Sequence, residues 1–374
     1  AHFRAGVSIQ SDLLKFDIAS DEMSMDELAE IMTKYDRKKK YFRLKNGEFV
    51  SMEDDGIRSV VSALDDLHIT GREILGGSVT IPRYRAMYLD ALAAAGGLTS
   101  FTRDRSFREL VRNMKSVDES DYEVPASLSG IMRGYQKTGF MWLRTLSHNG
   151  FGGILADDMG LGKTLQIIAF LLSEQEEAAA GDNRRSLIIC PASLVYNWKN
   201  EISRFAPLLQ VQMVTGTAAE RSRMIRESTD RDILITSIDL VKRDIDAYEN
   251  ITFFSEIIDE AQYIKNHTTA AAKSVKVIQS QTRYALTGTP IENRLSELWS
   301  IFDYLMPGFL YGYDTFKKEF ETPIIKNEDE AAMTRLQKMV SPFILRRLKE
   351  DVLKDLPEKL EEIRYVKFED AQQK

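Results

Sequence analysis

The stretch that most restricts what this chain can fold into is GGILADDMGLGKTLQIIAFLLS, residues 152–173. An apolar run feeds a glycine-containing turn, and the turn opens directly into an apolar helical pattern. Strand, tight loop and helix in that order are the setting of a phosphate-binding loop, G-x-x-x-x-G-K-[ST]. Gly162, Lys163 and Thr164 stand in the expected places, but Asp157 occupies the position of the first glycine. In such a loop the backbone N–H groups and the helix N-terminus cradle phosphates. Lys163 would reach the β/γ oxygens and Thr164 would coordinate Mg2+.

The surrounding pattern predicts an α/β fold. Apolar runs at 152–156, 186–191, 211–216, 231–237, 255–260 and 283–288 alternate with helix-like segments. Short buried strands alternating with helices indicate βαβ units and a largely parallel sheet. Upstream, residues 1–122 read as a separate α+β unit with no catalytic signature. In it, YFRLKNGEFV has Asn46-Gly47 between two short alternating runs, which predicts a hairpin with a type I′ turn. SMDELAEIMTKY carries Ser24 three residues ahead of Glu27, a helix N-terminus signal. The basic run at 37–40 could touch DNA, but a solvated turn is the simpler reading. Residues 123–130 read as a linker, 131–308 as the α/β lobe, and 309–356 as a charged helical protrusion without strands. Residues 357–374 read as a further linker followed by the start of another lobe.

Composition narrows the partners. Of 374 residues, 43% are hydrophobic and 29% charged, and the formal net charge is −7, which excludes a globally basic nucleic-acid binder. Any nucleic acid must be gripped by local patches. Cys190 is the single cysteine and lies in the apolar run SLIICP, so internal disulfides and cysteine-rich zinc sites are ruled out and a buried strand cysteine is expected. No apolar run approaches the ~20 residues that span a bilayer, so no membrane partner is implied.

Two further strand ends carry chemistry. SEIIDEAQ places Asp259 and Glu260 just past an apolar run, about 100 residues after the phosphate loop. Adjacent carboxylates there suit a metal-holding aspartate and a glutamate that polarises the attacking water. YALTGTPIENRLSELW ends another run in Thr287, Gly288 and Thr289, small groups that could sense a γ-phosphate.

Taken in order, RGYQKTGFMWL, ADDMGLGKTLQ, CPASLVYNW, DEAQYIKN, LTGTPIENRLSELWSIFDYLMPG and PFILRRLKEDVLKDLPEK closely resemble the Swi/Snf ATPases of helicase superfamily two. The resemblance runs almost continuously over residues 130–365 and accommodates Asp157, because the family's loop has the same form. It implies a RecA-like first ATPase lobe that uses ATP and Mg2+ and moves on double-stranded DNA, gripping the phosphate backbone without reading sequence. Carried over residue by residue, ATP binding falls to Arg133, Gln136, Asp158, Met159, Gly160, Leu161, Gly162, Lys163 and Thr164. Gln136 would read adenine or merely cap its helix. Lys163, Asp259 and Glu260 would be catalytic, with Thr164 and Asp259 at the metal. Gln262, Thr287, Gly288 and Thr289 would couple nucleotide state to DNA. Ser193, Thr236, Ser237, Lys265 and Asn266 would lie along a DNA strand. Trp198 fits core packing better than base stacking. Arg346 and Arg347 would brace the interface with a second lobe or face solvent.

Two positions depart from the family. Gln262 stands where a histidine is usual, and Gly134 where a proline is usual. The N-terminal block is similar to the accessory region of bacterial members, which implies a bacterial, cytoplasmic, nucleoid-associated protein. Both chain ends look cut, and the second lobe with its arginine fingers does not follow. Such a finger is worth about 10³–10⁵ in rate, so weak hydrolysis is expected of this lobe alone. A monomer is the default. RNA polymerase or another DNA-bound protein is an alternative partner, as in ATPases that recycle polymerase. A helicase stimulated by single strands or RNA, and a degenerate ATPase serving as a binding module, are the rival readings.

Overall fold

The computed structural model describes residues 3–35, 39–94, 100–117, 120–288 and 294–352. The N-terminal unit is built on strands β1 (Phe3–Gln10) and β2 (Leu13–Ser20), an antiparallel hairpin whose Phe3, Ala5 and Val7 and Leu14, Phe16 and Ile18 turn to the core. A separate two-stranded ribbon pairs β3 (Tyr41–Arg43) with β4 (Phe49–Ser51). Strands β5 (Ser78–Pro82) and β6 (Ser100–Arg103) complete a four-stranded sheet in the order β5-β2-β1-β6. Helix Met25–Lys34 begins at Ser24 with the anticipated capping box, Ser24 Oγ accepting from the Glu27 N–H. The turn between β3 and β4 differs from the type I′ form. Of its two central residues only Gly47 has a positive φ, 92°. The Gly47 N–H donates to the Leu44 carbonyl at 3.0 Å and the Leu44 N–H to the Glu48 carbonyl at 2.8 Å, the three-residue loop that ends in a left-handed glycine.

The large sheet contains β7 (Gly153–Leu155), β8 (Ser186–Cys190), β9 (Val211–Met213), β10 (Ile233–Ser237), β11 (Thr252–Ile258), β12 (Gln279–Leu286) and β13 (Ile344–Leu345). All seven run parallel, in the order β13-β7-β12-β11-β8-β10-β9. Helices cover both faces, so β7, β8 and β10 are buried throughout. The six anticipated strands all form. β13 does not match the expected strand-free protrusion: Ile344 and Leu345 return from helix Glu330–Val340 and pair with Ile154 and Leu155 of β7. Two residues carry no periodicity, so nothing in the sequence marked them.

The stretch expected to be a linker is packed instead. It holds a short helix, Ala126–Ser129, whose Leu128 is fully buried. The N-terminal unit is also clasped to the 309–340 region. Arg335 donates to Asp66 at 2.6 Å and to Glu319 at 2.8 Å, and the Tyr311 hydroxyl donates to the Asp66 carbonyl at 2.6 Å. His68 stacks on Tyr311 with ring centroids 3.7 Å apart. Among the described residues, no helix is long and apolar enough to cross a membrane.

Candidate functional site: the carboxyl edge of the parallel sheet

Ligands of open parallel sheets bind beyond the carboxyl ends of the strands, and the candidate residues collect there. Because β7, β12 and β11 are neighbours, the loop after β7, Thr287-Gly288 after β12 and Asp259-Glu260 after β11 stand side by side. Gly160 (φ 88°) and Gly162 (φ 78°) adopt left-handed backbone that bends the loop into helix Lys163–Glu177. The left-handed conformation favours glycine at 162, and a methyl group there would lie 2.3 Å from Gln136 Nε2 and displace that side chain. The Lys163 ammonium donates to the carbonyls of Asp157 at 2.6 Å and Asp158 at 3.3 Å. Partial burial lowers its pKa, opposed by the charges of Asp157, Asp259, Glu260 and Asp158. A methyl group on Gly288 would stand 3.7 Å from Lys163 Nζ, which places the β12 end against the same ammonium. The Thr287 N–H donates to the Leu155 carbonyl at 3.2 Å. Thr289 lies outside the described residues.

The acidic pair is held from several sides. Asp259 accepts from the Trp198 indole N–H at 2.9 Å and from the Glu260 N–H at 2.9 Å. Burial raises the Asp259 pKa, and those donors oppose the rise. Trp198 is buried as expected of a core residue, but its N–H also orients the aspartate, a role that sequence alone did not suggest. Glu260 takes left-handed backbone (φ 59°, ψ 65°), uncommon for a side-chain-bearing residue and costing about 1–3 kcal/mol. Strain of this kind persists where the surroundings fix a side chain in one direction. Gln262 Nε2 donates to Glu260 Oε2 at 2.8 Å, so the residue that replaces the family's histidine rests on the glutamate.

Gln136 is 7% exposed and performs the capping role as well: its Oε1 accepts from the Arg133 N–H at 2.9 Å, and its Nε2 donates to the Leu161 carbonyl at 3.1 Å. It ties the helix Gly134–His148 to the phosphate loop. A carboxamide has two N–H groups and two lone pairs, so these two bonds leave one of each.

Asp157, in the first-glycine position, is fully buried and accepts from Arg347 Nε at 2.9 Å, from Arg347 Nη2 and from Gln166 Nε2 at 3.2 Å. The guanidinium also donates to Gln166 Oε1 and to the Tyr135 carbonyl. Arg347 therefore braces the phosphate loop from within this lobe. The pair is separated by 190 residues, which hides it from any local reading.

The candidate DNA residues divide. Ser193, Lys265 and Asn266 are exposed. Lys265 stands 3.6 Å from Glu297, and Asn266 Oδ1 accepts from the Thr268 N–H at 3.0 Å and the Thr268 hydroxyl at 2.8 Å. Thr236 and Ser237 are corrected. Thr236 is fully buried inside β10, opposite Ile189, and Ser237, 4% exposed, caps helix Ile238–Asp244 through the Leu240 N–H. Neither hydroxyl is exposed in this lobe, so neither side chain is presented to a phosphate here.

A parallel sheet whose carboxyl edge gathers a glycine-bent phosphate loop, an acidic pair and a small-residue strand end is the fold of a RecA-like ATPase lobe. The chain belongs to the SNF2-related family: the model of the SNF2-related domain matches residues 135–374. A second model, described as bacterial SNF2 helicase associated, matches residues 1–125. The chain is 38% identical over 297 residues to a TATA-binding protein-associated factor of Schizosaccharomyces pombe, covering 74% of this chain and 15% of the relative. It is 38% identical over 282 residues to a Bacillus subtilis protein provisionally named an ATP-dependent helicase/translocase, covering 74% of this chain and 30% of the relative. Among solved structures, the SWI2/SNF2 ATPase core of Sulfolobus solfataricus in complex with double-stranded DNA is 43% identical, with a TM-score of 0.56 over 64% of this chain and 48% of that one. The chain therefore spans less than a third of the length of these curated relatives.

Proposed function

We propose that this chain is the ATP-binding lobe of a motor that moves on double-stranded DNA and displaces proteins bound to it. The observation that carries the reading is the meeting of Lys163, Asp259-Glu260 and Gly288 at one sheet edge. Lys163 and the loop N–H groups bind the triphosphate, and Gln136 offers its spare amide N–H to the base, with Arg133 beside it. Thr164 and Asp259 fit Mg2+, since one is a hydroxyl at the helix start and the other a carboxylate aimed by Trp198. Mg2+ when bound there neutralises developing phosphate charge. Glu260, fixed by its backbone and by Gln262, polarises the attacking water. Thr287, Gly288 and Thr289 report nucleotide state, and Ser193, Lys265 and Asn266 meet the DNA backbone.

The solved relative bound to double-stranded DNA supports duplex as the track. The relatives named for association with TATA-binding protein support a DNA-bound protein as the target of displacement. We assign 1–122 to an accessory unit, 131–308 to the ATPase lobe and 309–356 to a protrusion that contributes β13 to the lobe's sheet. The protein acts as a monomer in the bacterial nucleoid.

Calorimetry of Mg2+-ATP binding to wild type, Lys163→Ala and Glu260→Gln tests the site. Lys163→Ala is expected to weaken binding by about tenfold or more, the size of one charge-assisted hydrogen bond. Glu260→Gln should bind as wild type while losing turnover. Undiminished binding in Lys163→Ala would remove the loop from the account.

A further inference from the structure

We propose that Lys349 is a second phosphate-contacting cation of this site, delivered by the segment that follows β13. This rests on the reading of the loop as a nucleotide site. The segment runs along the loop rather than away from it: the Ala156 N–H donates to the Leu345 carbonyl at 2.7 Å, and the Asp158 N–H to the Arg347 carbonyl at 3.0 Å. The Lys349 N–H then donates to Asp158 Oδ2 at 3.0 Å. These bonds fix the lysine backbone, and its side chain lies over Gly160. A methyl group there would stand 3.5 Å from both Cε and Nζ of Lys349.

The charges around the loop support the assignment. Asp157 and Asp158 put two carboxylates into a loop that must hold an anion, and uncompensated they would repel it. Arg347 neutralises Asp157 through its two-pronged hydrogen bonding. Asp158 uses one oxygen on the Lys349 N–H, which leaves the Lys349 ammonium beside the loop, in no ion pair among the described residues. The acidic residue in place of the first glycine thus has a structural purpose. It anchors the segment that brings a cation to the glycine which phosphates approach.

The test compares ATP, ADP and AMP binding by calorimetry across wild type, Lys349→Met, Lys349→Arg and Lys163→Ala. Lys349 is exposed, so Lys349→Met should melt with wild type, and a melting curve confirms it. ATP and ADP affinity should fall about threefold to tenfold in Lys349→Met, the size of one partly solvated charge pair. AMP affinity should hold, Lys349→Arg should recover most of the loss, and raised salt should shrink it. Wild-type affinity in Lys349→Met, with binding abolished in Lys163→Ala, would overturn the inference while leaving the nucleotide site intact. An equal loss for AMP would also overturn it. If neither substitution alters binding, the nucleotide reading itself fails and this inference with it.

Discussion

Single side chains at the sheet edge hold protons under opposing pressures. Asp259 is pushed up by burial and held down by the Trp198 indole N–H and by Glu260's backbone. Trp198→Phe keeps the packing and removes the donor, so the Asp259 pKa should rise further. The acid limb of Mg2+-ATP binding should then move to higher pH, and a profile superimposable on wild type would show that Trp198 only fills space. Glu256 on β11 is fully buried beside Arg283, and burial raises its pKa from 4.5 to about 7 despite the arginine. Between those values the folded protein holds a proton that the unfolded chain has released, so stability falls as pH rises through this window. Relative to Glu256→Gln, wild type should lose on the order of 3 kcal/mol of unfolding free energy from acid to neutral pH. Parallel urea titrations for the two proteins at every pH would contradict this.

Between elements, the decisive interaction is the staple from the segment after β13 onto the phosphate loop. Breaking a buried ion pair from one side leaves a bare charge and costs about 3–5 kcal/mol. Arg347→Ala should therefore lower the melting temperature markedly, and adding Asp157→Gly should recover part of the loss. Strictly additive losses would mean that the pair is not coupled. The elements themselves were largely legible. The capped helix at Ser24, the six apolar strands and the loop after β7 follow from periodicity and capping chemistry that act within a dozen residues. The hairpin of β1 and β2 was not anticipated, although Phe3, Ala5 and Val7 alternate toward the core, as do Leu14, Phe16 and Ile18. Partners distant in sequence were not legible. Asp157 advertises a departure from the loop pattern but not Arg347, and β13 is too short to signal itself. The buried fate of Thr236 and Ser237 was written in the apolar run around them, which reads as a strand enclosed on both faces.

At the scale of the whole chain, the N-terminal unit is fastened to the 309–340 region by Arg335, which spans Asp66 and Glu319. Arg335→Ala removes the link between Asp66 and Glu319, which keep Tyr88 and His68 as partners, and should loosen that junction. Amide exchange in helix Asp55–Asp66 should accelerate while exchange in β8 and β10 holds, and unchanged exchange at both would show that the two parts are joined by packing alone. The proposed movement of this lobe on duplex DNA is read from ATP turnover of the chain carried on into a second ATPase lobe, measured with duplex DNA, single-stranded DNA and RNA. Strong stimulation by duplex alone, abolished in Lys163→Ala and Glu260→Gln, is the expected result; equal or greater stimulation by single strands or RNA would contradict it.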